Sequence, residues 1–167
     1  MSSSLDPRYV TAFVQATKKV FQTMLGLEVT FGDPIPGKLP HLVNDISVII
    51  PMTGGVIGTV VLSLPVASAE KIASSFVGSP VDRKSDDFAD ALGELVNMIS
   101  GAAKANFAEK QVCLSRPSVV MGEENTVQPP SDSVCVSIPC RSSYGDFAVE
   151  VSLKKVAVSQ TNRPAIA

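Results

Sequence analysis

Apolar residues recur along the chain at two spacings, one typical of helices and the other of strands. Steps of three and four predict two long helices, from Pro7 to Leu25 and from Ser85 to about Ala108, and a shorter helix from Val66 to Val77. Runs rich in Val and Ile, bounded by turn residues, predict six strands. These lie near Glu28–Phe31, Ile46–Ile50, Thr59–Leu64, Val112–Val120, Ser133–Ile138 and Asp146–Val156.

The same order of elements occurs twice, each time as a long helix, a strand and a hairpin. The segment Ser47–Pro51 resembles Cys135–Pro139, and Gly58–Leu64 resembles Gly145–Leu153 after a slip of two residues. We therefore expect an α+β fold, in which two long helices pack on a largely antiparallel sheet with an internal pseudo-two-fold repeat. The short helix connects the two halves.

We expect a single domain over residues 1–167, with flexible ends at residues 1–6 and 160–167. Two loops interrupt the pattern of elements. One is rich in Pro and Gly and runs from Gly32 to Pro40, and the other is acidic and polar and runs from Gly122 to Ser131.

The segment from Ile46 to Ala69 carries no charged residue and is long enough to span a bilayer. However, Pro51, the Gly54–Gly55 pair and Pro65 interrupt it, and such breaks in backbone hydrogen bonding are not tolerated against lipid. The segment is better explained as a buried hairpin. The first residues also lack the basic start of a signal peptide, so we expect a cytoplasmic protein with no membrane contact.

The composition is apolar and poor in charge, with 45% hydrophobic and 18% charged residues among 167 and a net charge of -2. This balance lacks the basic patch expected of a protein that binds nucleic acid or acidic membranes. The excess of apolar surface must instead be covered by a large core or by a second subunit. An exposed strand edge or sheet face is one candidate for a homodimer contact.

The three cysteines, Cys113, Cys135 and Cys140, lack zinc-type spacing, and the chain has a single histidine, His41. We therefore expect buried, reduced thiols and no metal site. Cys135 and Arg141 have the spacing of a cysteine-phosphatase loop, but the segment reads as a strand rather than a phosphate-binding loop.

The second long helix carries a polar stripe. Asp90, Glu94, Asn97 and Gly101 follow one another at steps of four, three and four, so they share the face opposite the apolar positions. Glycine inside a helix costs about 1 kcal/mol relative to alanine. Gly93 and Gly101 both accept this cost, which indicates a close approach of another backbone or surface. The alternative is a solvated face that happens to contain two glycines.

The spacing Asp90-x-x-x-Glu94-x-x-Asn97-x-x-x-Gly101 resembles the signature of the CheC/CheX family of chemotaxis phosphatases. The order of elements along nearly the whole chain is similar as well. The resemblance implies an enzyme that removes the phosphoryl group from the aspartate of a CheY-like response regulator. It also implies that this chain binds no cofactor itself and that Mg²⁺ is held by the partner regulator.

The resemblance assigns Glu94 and Asn97 as the catalytic pair. Asn97 would orient the attacking water, and Glu94 would pair with the regulator's lysine. The other positions expected to contact the partner are Asp90, Gly93, Gly101 and Lys104. Two alternatives stay open: a noncatalytic adaptor that binds a response regulator or flagellar switch component, and a CheC-like enzyme that needs an activating partner.

CheC-like members carry the acid–amide signature on both long helices, whereas CheX-like members keep one. Aligning Gly26 with Gly101 places Gln15, Lys19 and Gln22 opposite Asp90, Glu94 and Asn97. In this alignment Lys19 reverses the charge of the essential glutamate. The first helix should therefore be inactive, which favours the CheX-like group and, by resemblance, a homodimer.

Overall fold

The structure, a computed structural model, describes residues 5–37, 45–122 and 134–156. Three helices lie in these ranges: α1 (Pro7–Leu25), α2 (Val66–Val77) and α3 (Asp86–Lys104). The strands are β1 (Thr30–Phe31), β2 (Ile35–Gly37), β3 (Ile46–Gly54), β4 (Val56–Leu64), β5 (Val112–Leu114), β6 (Ser118–Met121), β7 (Cys135–Ser142) and β8 (Gly145–Lys155). The predicted α+β fold, with two long helices on an antiparallel sheet, is confirmed.

The strands form one antiparallel sheet in the order β1-β7-β8-β4-β3-β5, with β2 also paired to β7 and β6 to β3. The strands that follow each long helix therefore pair with the hairpin of the other repeat. The two edges match in detail, since Phe31 lies opposite Cys140 as Leu114 lies opposite Met52. The next amide on each side, of Gly32 and of Ser115, donates a 2.9 Å hydrogen bond to a proline carbonyl. The internal repeat predicted from sequence is present.

The core lies between the long helices and one face of the sheet. The largest side chains with almost no exposure include Phe13 and Phe21 of α1 and Phe88 of α3. Phe21 stacks on Phe147 of β8 with ring centroids 5.0 Å apart. Because side chains alternate across a strand, only every second residue of the central strands enters this core.

The charge-free segment that begins at Ile46 forms the β3–β4 hairpin and the start of α2. Its core-facing residues, Val48, Ile50, Val60 and Leu62, are each at most 1% exposed. Burial of this hairpin accounts for much of the apolar excess in the composition. In the described part of the chain, no helix combines the length and apolar character needed to cross a membrane.

Three predicted boundaries were wrong. The chain from Ile35 to Gly37 forms β2 inside the predicted Pro/Gly loop, because it pairs with β7. The predicted strand Val112–Val120 is split into β5 and β6 around Pro117, which lacks the N–H that a continuous ladder needs. Helix α3 ends at Lys104 rather than near Ala108, and the Asn106 side chain donates to the Ala102 carbonyl as the helix closes.

One further expectation was wrong. Cys113 is exposed rather than buried, because it alternates with the buried Val112 on the short strand β5. At the start of the described chain, Leu5 is buried and the Asp6 carboxylate caps α1 by accepting from the Arg8 N–H. The flexible ends stay a prediction. Residues 1–4 and 160–167, His41 and most of the acidic loop after Gly122 lie outside the described residues.

Candidate functional site

Helix α3 is held in place by its cap and by its apolar face. The Ser85 hydroxyl accepts from the Asp87 N–H at 3.2 Å, and Asp86 and Asp87 lie in the first turn, where the helix dipole favours negative charge. The buried side of the helix includes Phe88, Leu92, Leu95 and Ile99. Packing of these residues on the sheet fixes which side of α3 faces outward.

The outward side of α3 carries the predicted stripe. Asp90 and Glu94 are exposed, Asn97 is half-buried, and Gly101 lies on the same line one turn further along. A side chain at Gly101 would meet no atom within 4 Å, so the surface above this position is open. The structure thus brings an exposed carboxylate, a partly sheltered amide and a bare stretch of backbone onto one accessible face.

Gly93 does not belong to this open face. It is buried, and a Cβ at this position would lie 3.3 Å from Cγ of Pro117. The close approach predicted at Gly93 is therefore made by the same chain, and a partner-binding role for Gly93 was the wrong interpretation. Lys104 is also engaged internally, since its Nζ donates to the Val112 carbonyl at 3.1 Å.

The loop Ser115–Arg116–Pro117 borders the stripe and was missed by the sequence analysis. It joins β5 to β6, and its proline packs against Gly93 of α3. Its other residues, Ser115 and Arg116, are exposed. The sequence does contain a signal for this loop, because Pro117 lies inside the predicted strand and a proline there indicates a break in the strand.

Helix α1 is the counterpart of α3, but one turn away from the predicted alignment. Both helices have 19 residues, and all seven buried positions of α1 fall on buried positions of α3 when Pro7 is matched to Asp86. Gln15 then corresponds to Glu94 and Lys18 to Asn97. The alignment of Gln15, Lys19 and Gln22 with the signature was wrong. The expectation that α1 lacks the acid–amide pair does not depend on that choice.

A groove of about 500 Å³ lies over the α1 counterpart of the stripe. It is lined by Gln15, Lys18, Lys19, Gln22, Glu28, Val29 and Thr30. In the burial alignment Lys18 stands at the position of Asn97 and Gln15 at that of Glu94, and Lys19 adds a second positive charge beside them. The groove face of α1 and the stripe of α3 therefore occupy equivalent places in the repeat, but the first carries lysines and the second carries acidic residues.

The cysteines do not form a second active site. Cys135 is buried and burial raises its thiol pKa to about 12, so it remains protonated at neutral pH. Cys135 and Arg141 lie near opposite ends of β7, roughly 20 Å apart along an extended strand. Among the residues that the structure describes, no cluster of His, Cys, Asp and Glu is arranged to hold a metal ion.

Comparison with known proteins finds a matching family and a relative that aligns over most of the chain. The family model for the chemotaxis phosphatase CheX matches residues 46–141. The chain is 29% identical over 154 residues to the CheY-P phosphatase CheX of Thermotoga maritima, an alignment that covers 90% of this chain and 98% of that protein.

Solved structures show the same fold. A chemotaxis protein CheX from Desulfovibrio desulfuricans superimposes with a TM-score of 0.78 at 29% identity, covering 89% of this chain and 99% of that one. The CheX of a CheX–CheY–BeF3–Mg²⁺ complex from Borrelia burgdorferi gives 0.74 at 22% identity, covering 88% and 98%. The family model matches more than half of the chain's length, and the chain therefore belongs to the CheX family of chemotaxis phosphatases.

Proposed function

We propose that this protein is a phosphatase that accelerates hydrolysis of the aspartyl phosphate on a CheY-like response regulator. The observation that carries the proposal is the line of Glu94, Asn97 and Gly101 on the outward side of α3, with open space above Gly101. Membership of the CheX family and the name of the Thermotoga maritima relative support the same reaction. The CheX of Borrelia burgdorferi was crystallised with CheY, BeF3 and Mg²⁺, which supports a partner of this kind.

Hydrolysis of an aspartyl phosphate requires a water in line with the leaving carboxylate and stabilisation of the equatorial phosphoryl oxygens. We expect the regulator to supply the aspartate, a lysine and Mg²⁺, so that this chain needs no cofactor. The Asn97 amide has both an acceptor and donors and is placed to hold and orient the water. Because it lies within a helix and is half-buried, little conformational freedom is lost when it acts.

Glu94 is one turn from Asn97 on the same face. It has no ion-pair partner among the described residues, so its carboxylate is available to pair with the regulator's lysine. Such a pair fixes the register in which the regulator docks and brings the phosphoryl group over Asn97. In this scheme Asp90 and Gly101 contact the partner at either end of the stripe.

The proposal is tested by following the decay of a phosphorylated regulator with Asn97→Ala. We expect the decay to return to the regulator's intrinsic rate, because no other group on the stripe can both accept from and donate to water. Asn106→Ala is the matched control, since it removes an exposed amide just beyond the end of the same helix and should leave activity unchanged. Full activity of Asn97→Ala would exclude the proposed mechanism.

The same assay separates the phosphatase from a noncatalytic adaptor. An adaptor would bind the regulator without accelerating the loss of phosphate.

We also propose that the protein is a cytoplasmic homodimer, which its apolar composition and exposed Ile35 and Ile57 support. Light scattering in solution should then give twice the mass of one chain, and a mass of one chain would rule the dimer out.

A further inference from the structure

Arg116 stands beside the acidic stripe on a loop that is fixed on both sides. The Ser115 N–H donates to the Pro51 carbonyl at 2.9 Å, and Pro117 packs against Gly93 of α3. Ser118, which follows, pairs with Ile49 of β3. The backbone on each side of Arg116 is therefore held by the sheet and by the helix that carries the stripe.

The loop contacts α3 at Gly93, through Pro117, the residue that follows Arg116. Gly93 precedes Asn97 by four residues, so the two are neighbours on the helix surface, about 40° apart around the axis and roughly 6 Å apart along it. The loop thus flanks the stripe on the Asn97 side. It also explains Gly93: without a side chain there, Pro117 approaches the helix and brings Arg116 to the edge of the site.

The guanidinium of Arg116 is exposed, and none of the described carboxylates forms an ion pair with it. The stripe beside it is acidic, with Asp86, Asp87, Asp90 and Glu94 on or near its exposed face. A partner that presents a phosphoryl group and nearby carboxylates would be repelled by these acids unless a cation offset them. Arg116 is the cation on the flanking loop.

The internal repeat provides an independent comparison. The loop Gly32–Asp33–Pro34 occupies the corresponding place in the first half of the repeat, with the Gly32 N–H bonded to Pro139 as the Ser115 N–H is bonded to Pro51. There the loop carries an acid and the helix face carries Lys18 and Lys19. The charges of loop and helix face are reversed together between the two halves. This indicates that loop and helix face act as one surface.

We propose that Arg116 is a partner-binding residue whose guanidinium pairs with a carboxylate on the response regulator next to its phosphorylation site. The inference rests on the proposed function. A carboxylate beside the site, rather than the phosphoryl group itself, is the expected contact because the loop flanks the stripe while Asn97 lies on it. Arg116 therefore governs how tightly the regulator docks, and Asn97 governs the hydrolysis.

The test is steady-state dephosphorylation by Arg116→Ala at several ionic strengths, with the regulator's concentration varied. One exposed ion pair contributes up to about 1 kcal/mol, so we expect KM to rise about three- to fivefold at low salt with kcat little changed. The difference from wild type should shrink as salt increases. Arg116→Lys should recover part of the affinity.

Arg141→Ala is the matched control, because it removes an exposed arginine from the β7 end of the other half. It should behave as the wild type does. A KM unchanged in Arg116→Ala, or raised equally in Arg141→Ala, would overturn the proposal. A fall in kcat with KM unchanged would also overturn it, since Arg116 would then act on the phosphoryl group.

Failure of the proposed function has a different signature. A wild-type protein that binds the regulator without accelerating loss of phosphate would exclude the phosphatase. The role of Arg116 would still be decided by the dissociation constant of the regulator complex, measured with Arg116→Ala and Arg141→Ala. Weaker binding of only the first variant supports it, and equal binding of both contradicts it.

Discussion

At the scale of single residues, the proposed site includes a charged side chain, Glu94, that does not stabilise the fold. Glu94 is exposed, lies outside the apolar face of α3 and makes no ion pair within the described ranges. An exposed glutamate without a partner contributes little to stability. We therefore expect Glu94, one turn from Asn97, to affect binding of the regulator more than stability of the fold.

Replacing Glu94 by lysine should weaken binding of the regulator strongly while leaving the fold intact. The substitution removes one ion pair and sets two positive charges against each other, whereas Glu94→Gln only removes the pair. We expect Glu94→Gln to raise the dissociation constant up to about fivefold and Glu94→Lys to raise it further. Titration of the regulator by calorimetry or fluorescence measures both, and urea unfolding checks the fold.

Glu28→Lys makes the same change of charge on an exposed glutamate beside α1, in the other half of the molecule. It should bind the regulator as the wild type does. If both lysine variants bind equally weakly, the effect is one of net charge and Glu94 has no specific partner. If Glu94→Lys binds normally, the proposed lysine pair does not form.

At the scale of elements, the helices were predictable because their signals are local. The bounds of α1 and α2 match the predicted Pro7–Leu25 and Val66–Val77. An aspartate cap with proline in the first turn marks the start of α1, and Gly26 ends it with a φ of 65° that glycine adopts easily. The polar stripe of α3 was predictable for the same reason, since helical spacing alone places Glu94 and Asn97 on one face.

The short strands were not predictable, because their pairing partners lie far along the chain. β2 has three residues and pairs with β7, about a hundred residues later. Nothing within Ile35–Gly37 distinguishes it from a loop, since Pro36 is unusual in a strand and is tolerated here on an outer one. The strands β5 and β6 on either side of Arg116 also pair with a distant strand, β3, and only Pro117 marks the break between them in the sequence.

The alignment of α1 with α3 failed because two glycines with different functions were matched. Gly26 ends α1 in the left-handed conformation, whereas Gly101 lies inside α3. Burial is the better guide, because the apolar positions of both helices face the same sheet. Tyr9 then corresponds to Phe88, and Val20 to Ile99.

At the scale of the whole molecule, each repeat completes the sheet of the other, and the two halves meet at the pairing of β4 with β8. The repeat matches Pro51 with Pro139, so Thr59 corresponds to Ala148 and Val61 to Glu150. Val61 and Glu150 also lie directly opposite each other. The pseudo-two-fold axis therefore passes between a valine and a glutamate.

Glu150 is the least expected residue at this position. It is 4% exposed, and its Oε1 has no hydrogen-bond partner. Its neighbours Val149 and Val151 enter the core beneath the helices, so Glu150 lies on the opposite face of the sheet. Burial raises its pKa from 4.5 to about 7, because the charged form loses water without gaining a partner.

This shift predicts that the protein loses stability as the pH rises. Between pH 4.5 and 7 the folded chain retains a proton on Glu150 that the unfolded chain releases, so the free energy of unfolding falls across this window and stays lower above it. The shift corresponds to at most about 3 kcal/mol. Urea unfolding at pH 5 and pH 8 measures the change.

Glu150→Gln removes the titrating group while keeping a side chain of similar size, and it should flatten the dependence on pH. The amide is itself buried, so the variant's stability can differ from that of the wild type at both pH values. The deciding quantity is the difference in the free energy of unfolding between pH 5 and pH 8. Glu28→Gln, at an exposed position, should retain the full difference. If Glu150→Gln retained it as well, the charge at the pseudo-two-fold axis would not be what limits stability at neutral pH.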